Sequence, residues 1–265
     1  MTQPIRWLQD EIADRMLQKL DIVKLDVKDI LIIPDFTGKH LDILAKRYPN
    51  ARLLSFTEAG ISSFQMWRAK PKTSWQSLFS ANTKPLMDYL SSGRLDIPDN
   101  SVDLVFSDLL LQDLADPKHF LGECRRVLRE GGLISFSYLG PDTGKELRTL
   151  NLPKIKLQNL LSPWDMHDMG DALVAERFSD PVVDMEYLTL EYERPDLLLA
   201  DASALKLTQV DYLATSEMNN LPSKMTLEVV YGHAWAIGKH LAKAQDKVAY
   251  IDLNQIGRKT RSDSA

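Results

Sequence analysis

Apolar residues recur at helical spacing between residues 6 and 20, where Trp7, Leu8, Ile12, Met16 and Leu20 stand among charged and amide side chains. That period predicts a helix laid against a sheet. The pattern then changes: Ile30 to Ile33 is an unbroken aliphatic run, the mark of a strand buried on both faces. Helical spacing returns from about 38 to 48, and Arg52 to Phe56 reads as a second strand, so these elements form a βαβ unit with the short connections of a parallel sheet. Residues 59–85, with Trp67 and Trp75 beside Lys70-Pro-Lys-Thr-Ser, read as a helix followed by a partly exposed loop. Asp103 to Ser107 is another buried strand, Pro117 to Arg129 a helix stopped by Glu130-Gly-Gly132, and Leu133 to Tyr138 a further strand. A later helix and two strands, near Val182 to Glu193 and Met225 to His233, complete an α/β pattern. It predicts a doubly wound open sheet, mostly parallel with an antiparallel edge. One domain is expected over residues 1–255, with a polar, flexible tail at 256–265.

The turn after the first strand, Ile30-Leu-Ile-Ile-Pro-Asp-Phe-Thr-Gly-Lys-His40, opens a helix N-terminus, the place where an anionic or zwitterionic cofactor docks. Such turns usually carry several glycines, because a Cβ keeps backbone and ligand apart; here Gly38 alone remains. Composition narrows the partners. The 265 residues, 44% hydrophobic and 26% charged, suffice for one sizeable core. A net charge of −5 argues against a broad nucleic-acid or anionic-membrane surface. The first eleven residues have no continuous apolar run and carry early acids, so they read as neither secretory signal nor membrane anchor, and a cytoplasmic protein is expected. The single cysteine, Cys124, falls in an apolar helical stripe and reads as a core thiol.

Several segments resemble the class I S-adenosylmethionine methyltransferases. These are Ile97-Pro-Asp-Asn-Ser-Val-Asp-Leu-Val-Phe-Ser-Asp108, leading into the fourth strand, and Phe120 to Gly132, its following helix and turn. Three others resemble more specifically the malonyl-carrier-protein O-methyltransferase family of biotin synthesis: Ser137-Tyr-Leu-Gly-Pro-Asp-Thr-Gly-Lys-Glu-Leu-Arg148, Asp168 to Leu173 with Phe178 to Glu186, and Val230-Tyr-Gly-His-Ala-Trp235. The resemblance, which spans almost the whole chain, implies a Rossmann-like, doubly wound seven-stranded sheet with S-adenosylmethionine over the carboxyl ends of the first strands. It also implies methylation of the free carboxylate of a malonyl thioester.

Placed on the family's first motif, the acidic position falls at Ile32 and the glycines at Pro34, Phe36 and Gly38. Pro34 lacks an N–H, and Phe36 sets a benzyl group where backbone should meet ligand. The ribose-binding carboxylate corresponds to Thr57, with Glu58 next to it but directed to the other face of a strand. The adenine-reading acid corresponds to Ser91, and an asparagine after the fourth strand to Asp108. Each lost charged hydrogen bond costs roughly 1.5–3 kcal/mol, so losing the two carboxylates weakens binding by about 10² to 10⁴-fold. The family's longer leading segment, with a tyrosine that helps close the site, has no counterpart in this sequence, and less shielding from water is expected.

Other residues carry two readings each. Tyr138, at a strand end, is either a substrate contact or packing beneath Gly140-Pro141, and His233 is either structural or a base touching substrate. Asp165, His167, Asp168 and Asp171 read as a helix cap at Asp168 and a solvated first turn rather than a metal site. His119 reads as a helix-surface residue, and Arg125, Arg126 and Arg129 as a solvated helix face or a contact for an acidic carrier protein. No nucleophile–base or metal-ligand spacing stands out, and a carboxylate acceptor needs none, being a nucleophile already. Two functions follow. One is a family member with an eroded cofactor site, weak or non-catalytic, that binds an acyl carrier protein or an active methyltransferase partner. The other is an active enzyme whose Gly38, Glu58 and Asp108 replace the missing groups; a cleft adapted to a different small ligand is a third possibility.

Overall fold

The computed structural model describes residues 6–36, 39–57, 81–148, 155–157, 164–210, 218, 220–236, 243–245 and 248–250. Seven strands form one sheet: β1 (Asp29–Asp35), β2 (Arg52–Thr57), β3 (Ala81–Pro85), β4 (Val102–Ser107), β5 (Leu128–Leu139), β6 (Ser179–Glu191) and β7 (Lys224–Ala236), in the spatial order β3-β2-β1-β4-β5-β7-β6. The first five run parallel, and β7 lies antiparallel between β5 and β6. A Rossmann-like sheet with an antiparallel edge is thus present.

Helices cover both faces because the central strands are apolar on both. Helices α1 (Arg6–Lys19), α2 (Lys39–Arg47) and α7 (Pro195–Ala204) pack on one face, where Leu8, Ile12, Met16, Leu44 and Leu198 meet Ile30, Ile32, Leu104 and Phe106. On the other face α3 (Leu86–Ser92), α4 (Pro117–Val127) and α6 (Met166–Ala175) bring Tyr89, Phe120, Cys124 and Leu173 onto Leu31, Ile33, Val105 and Phe136. Trp7 is 50% exposed. It stands one position off the i, i+4 row of Leu8, Ile12, Met16 and Leu20, so it turns away from the sheet. Cys124 is a fully buried core thiol, its pKa pushed up by burial.

Two boundaries differ from the sequence reading. The segment read as helix and loop over 59–85 ends in strand β3, which pairs along β2 from Leu53↔Ala81 to Thr57↔Pro85, whereas residues 59–80, with both tryptophans, lie outside the described residues. Ala81-Asn-Thr-Lys-Pro85 has no apolar run to betray it, and a proline suits an edge strand. Helix α4 ends at Val127, and Glu130-Gly-Gly132 lies within β5. Its registry begins early because Leu128 pairs with Val102 and the Arg129 guanidinium reaches Asp103 at 2.7 Å and Asp29 at 2.6 Å, while Gly131 supplies a positive φ of 79°. The arginines read as a solvated or partner-binding face are partly internal. Arg126 holds Glu123, Asp99 and the carbonyls of Leu95 and Ile97, Arg129 ties β5 to β1 and β4, and Arg125 reaches the Arg177 carbonyl at 3.4 Å. The tail, 256–265, lies outside the described residues.

Candidate functional site

Strands β2 and β4 flank β1 on opposite sides, so the chain leaves β1 in one direction and returns to its other side. At such a switch point the loops diverge and open a crevice beyond the carboxyl ends of the strands. Here those ends carry Asp35, Phe36, Ser107 and Asp108, faced by the first turn of α2 with His40.

His40 is the centre of the site and was not singled out in the sequence. Its ring is buried, edge-on to Phe36 and tilted against Phe106, each with centroids 5.8 Å apart. Nε2 lies 3.0 Å from Asp108 Oδ2, and Nδ1 is buried without a hydrogen bond, 3.7 Å from Asp35 Oδ1. Burial alone would lower the His40 pKa, but the hydrogen bond and charge of Asp108, with Asp35 and Asp10 behind it, raise it above the ordinary value. Asp108 is fully buried, and its other oxygen accepts from Ser137 Oγ at 2.6 Å. Ser137 Oγ in turn accepts from the Leu109 amide at 3.1 Å, and Leu109 holds a positive φ of 50°, a strained conformation for a branched residue. Asp35 accepts from the His40 amide at 3.2 Å and so satisfies a donor at the start of α2. A signal for His40 existed: it shares an i, i+4 face with buried Leu44, a position where a hydrocarbon is expected.

The sequence-predicted residues scatter around this centre. Pro34 is buried in β1, and the Ile33–Pro34 bond is cis. Phe36 is partly buried and packs with the α1 and α2 core face, so the expected steric block by its ring is not what distinguishes the crevice. Thr57 is buried at the end of β2, opposite Asp35; Gly38 and Glu58 lie outside the described residues. Ser91 is exposed in the last turn of α3, past the end of β3. Tyr138 is buried, and its hydroxyl donates to the Asp165 carbonyl at 3.0 Å; burial pushes its pKa up. His233 sits mid-strand between Ser135 and Val182, its pKa lowered by burial. It lines a separate cavity of about 150 Å³ with Met16, Lys19, Asp184 and Tyr231, which shares no lining residue with the crevice.

Asp165, not Asp168, caps α6: it accepts from the His167 and Asp168 amides at 2.7 and 2.9 Å, and Asp168 answers from the third position as a capping box. Among the described residues no group of three His, Cys, Asp or Glu could hold a metal ion. His119 is exposed, its Nε2 2.5 Å from the Gly93 carbonyl. The stretch Gly140 to Glu146 is moored to β7. The Asp142 amide donates to the buried Glu228 carboxylate at 2.6 Å, the Gly140 and Gly144 amides donate to the Glu228 and Thr226 carbonyls, and Glu146 accepts from the Thr226 amide at 3.0 Å. Glu228 was also missed; an acid inside the apolar run Met225 to Val230 was its signal.

A sulfonium nucleoside carries positive charge and needs acceptors. Among the described residues the crevice does not fit it: one oxygen of Asp108 holds Ser137, the other faces His40, and Asp35 caps the His40 amide. The obstacle is charge already matched inside the protein.

Comparison with known proteins adds kinship. A family model described as a methyltransferase domain matches residues 37–136. The malonyl-[acyl-carrier protein] O-methyltransferase of Gallionella capsiferriformans (strain ES-2) is 35% identical over 245 residues, 86% of this chain and 83% of that protein. The protein of the same name from Methylovorus sp. (strain MP688) is 33% identical over 278 residues, 97% and 90% of the two chains. Among solved structures, the Haemonchus contortus phosphoethanolamine N-methyltransferase 2 in complex with S-adenosyl-L-methionine aligns with a TM-score of 0.54 at 12% identity, covering 86% of this chain and 53% of that one. That likeness speaks to the fold alone.

Proposed function

The chain belongs to the malonyl-[acyl-carrier protein] O-methyltransferase family, and from that premise we propose that it is a member whose S-adenosylmethionine site is altered. In this reading it binds the cofactor weakly or not at all. It serves in the cytoplasm as a binding module for an acyl carrier protein or for an active methyltransferase partner. One observation carries the reading: the buried His40–Asp108 ion pair at the switch point, where the fold would seat the cofactor. Calorimetric titration with S-adenosylmethionine and S-adenosylhomocysteine up to millimolar concentration tests it. Absent or millimolar binding is expected; micromolar binding would overturn it.

A second reading is favoured by the share of its relatives that the chain spans and by the inward packing of Phe36, which leaves room beside β1. It is an active O-methyltransferase acting on the carboxylate of a malonyl thioester. S-adenosylmethionine would supply the methyl group, and the protein's part would be to position an acceptor that is already a nucleophile. Micromolar binding together with methyl ester formation on a malonyl carrier protein would establish it.

A further inference from the structure

We propose that His40 is a built-in cation of the switch-point crevice: its imidazolium, between Asp35 and Asp108, takes the charge position a cationic ligand would need, so the crevice discriminates against sulfonium in favour of neutral ligands. The inference rests on the reading that this crevice is where a nucleoside of the S-adenosylmethionine class would dock.

Geometry carries the argument. A buried ion pair is weak evidence for stability, since hydrocarbon of similar volume in the same place is often as good. His40 lies between the rings of Phe36 and Phe106 and shares a helix face with Leu44, surroundings that would accept a leucine. Instead a titratable ring occupies the end of β1 and draws both neighbouring carboxylates to itself. The charged groups facing it are Asp35 from β1, Asp108 after β4 and Asp10 from α1, the last ion-paired with Lys39 of α2; Ser137 of β5 touches Asp108. The balance around the ring is negative, and the charge of Asp108 and Asp35 holds the ring protonated despite its burial. A second cation placed about 5 Å from the imidazolium meets repulsion on the order of a hundredfold in affinity at the effective dielectric of a protein interior.

S-adenosylmethionine and S-adenosylhomocysteine are suitable probes because they differ by one methyl group and one positive charge. Their affinities would be measured for the wild type, His40→Gln and Asp108→Asn, with folding checked by circular dichroism, and the histidine rings would be titrated by NMR. His40 is assigned among the five histidines by its absence from His40→Gln. The expected results are a ring that titrates above the ordinary histidine range, a downward shift of that titration in Asp108→Asn, and a ten- to hundredfold move of preference toward S-adenosylmethionine in His40→Gln. In the wild type the same move should appear as pH rises and the ring loses its proton. No wild-type binding with gain of binding in His40→Gln supports both this inference and the proposed function. No binding in any variant overturns the inference and leaves the non-catalytic reading standing. Micromolar S-adenosylmethionine binding by the wild type, with the preference unchanged in His40→Gln, overturns both. A His40 ring that titrates at or below the ordinary value overturns the inference whatever the ligands do, and Asp108→Asn supplies the binding and titration readouts if His40→Gln does not fold.

Discussion

Gly232→Ala should destabilise the protein through one contact whose size can be worked out. Gly232 lies mid-strand in β7, opposite Phe136 of β5 and Val183 of β6, so its backbone is held by neighbours on both sides. A Cβ added there would fall 2.1 Å from Phe136 Cζ and 2.7 Å from both Cε atoms. Carbon atoms need about 3.5 Å, so the ring must move by more than an ångström. It has little room: Phe136 is fully buried, stacked on Tyr138 at 6.3 Å, and packed in the core with Val230 and Ala234. Overpacking of this kind costs about 1–3 kcal/mol, and an immobile ring belongs at the upper end. For a domain of this size each kcal/mol lowers Tm by roughly 2–4 °C, so a fall of about 4–12 °C is expected. Thermal unfolding by circular dichroism of Gly232→Ala, Phe136→Leu and the double variant measures it. Because the clash vanishes with the ring, the double variant should be more stable than the sum of the singles by about 1 kcal/mol or more. A Gly232→Ala melting point within a degree of the wild type, or strict additivity in the double variant, would refute the reasoning.

Three other perturbations read different parts of the molecule. Glu228→Ala removes the acceptor of the Asp142 amide and should cost about 2–3 kcal/mol, with faster hydrogen exchange in residues 140–146; Glu228→Gln, which keeps an acceptor oxygen, should do less on both counts. Tyr138→Phe loses only the bond to the Asp165 carbonyl and should lower urea stability by about 1 kcal/mol without changing whatever nucleoside binding exists; a large binding defect would instead reveal a substrate contact. The His40 pair should make stability depend on pH. The folded-state pKa is raised, so the contribution is complete below the unfolded value near 6.5 and is lost as pH rises through the folded value. The urea midpoint of the wild type relative to His40→Gln should therefore shrink from pH 6 to pH 9, and a constant or widening gap would contradict the assignment.

The sheet and its two-sided covering were legible in the chain because burial leaves a periodic trace. Ile30 to Ile33 is apolar on both faces, Leu8 to Leu20 and Phe120 to Cys124 keep helical spacing, and the alternation of these elements admits few topologies. Strand β3 left no such trace, since a short edge strand is held by backbone pairing to β2 and needs no apolar signature. The site was legible only in part, as a turn that had exchanged its glycines. Asp108 was identified from its place after β4, yet its partners are distant in sequence: His40 precedes it on another helix, and Ser137 follows on another strand. The same holds for Glu228 and the Gly140 turn. Sequence by itself therefore determined the fold family and the place of the crevice, because both follow from local periodicity and the order of elements. Tertiary structure decided what fills the crevice, because an ion pair forms between side chains that only parallel strand packing brings within 3 Å, and no local pattern records a partner on a different strand.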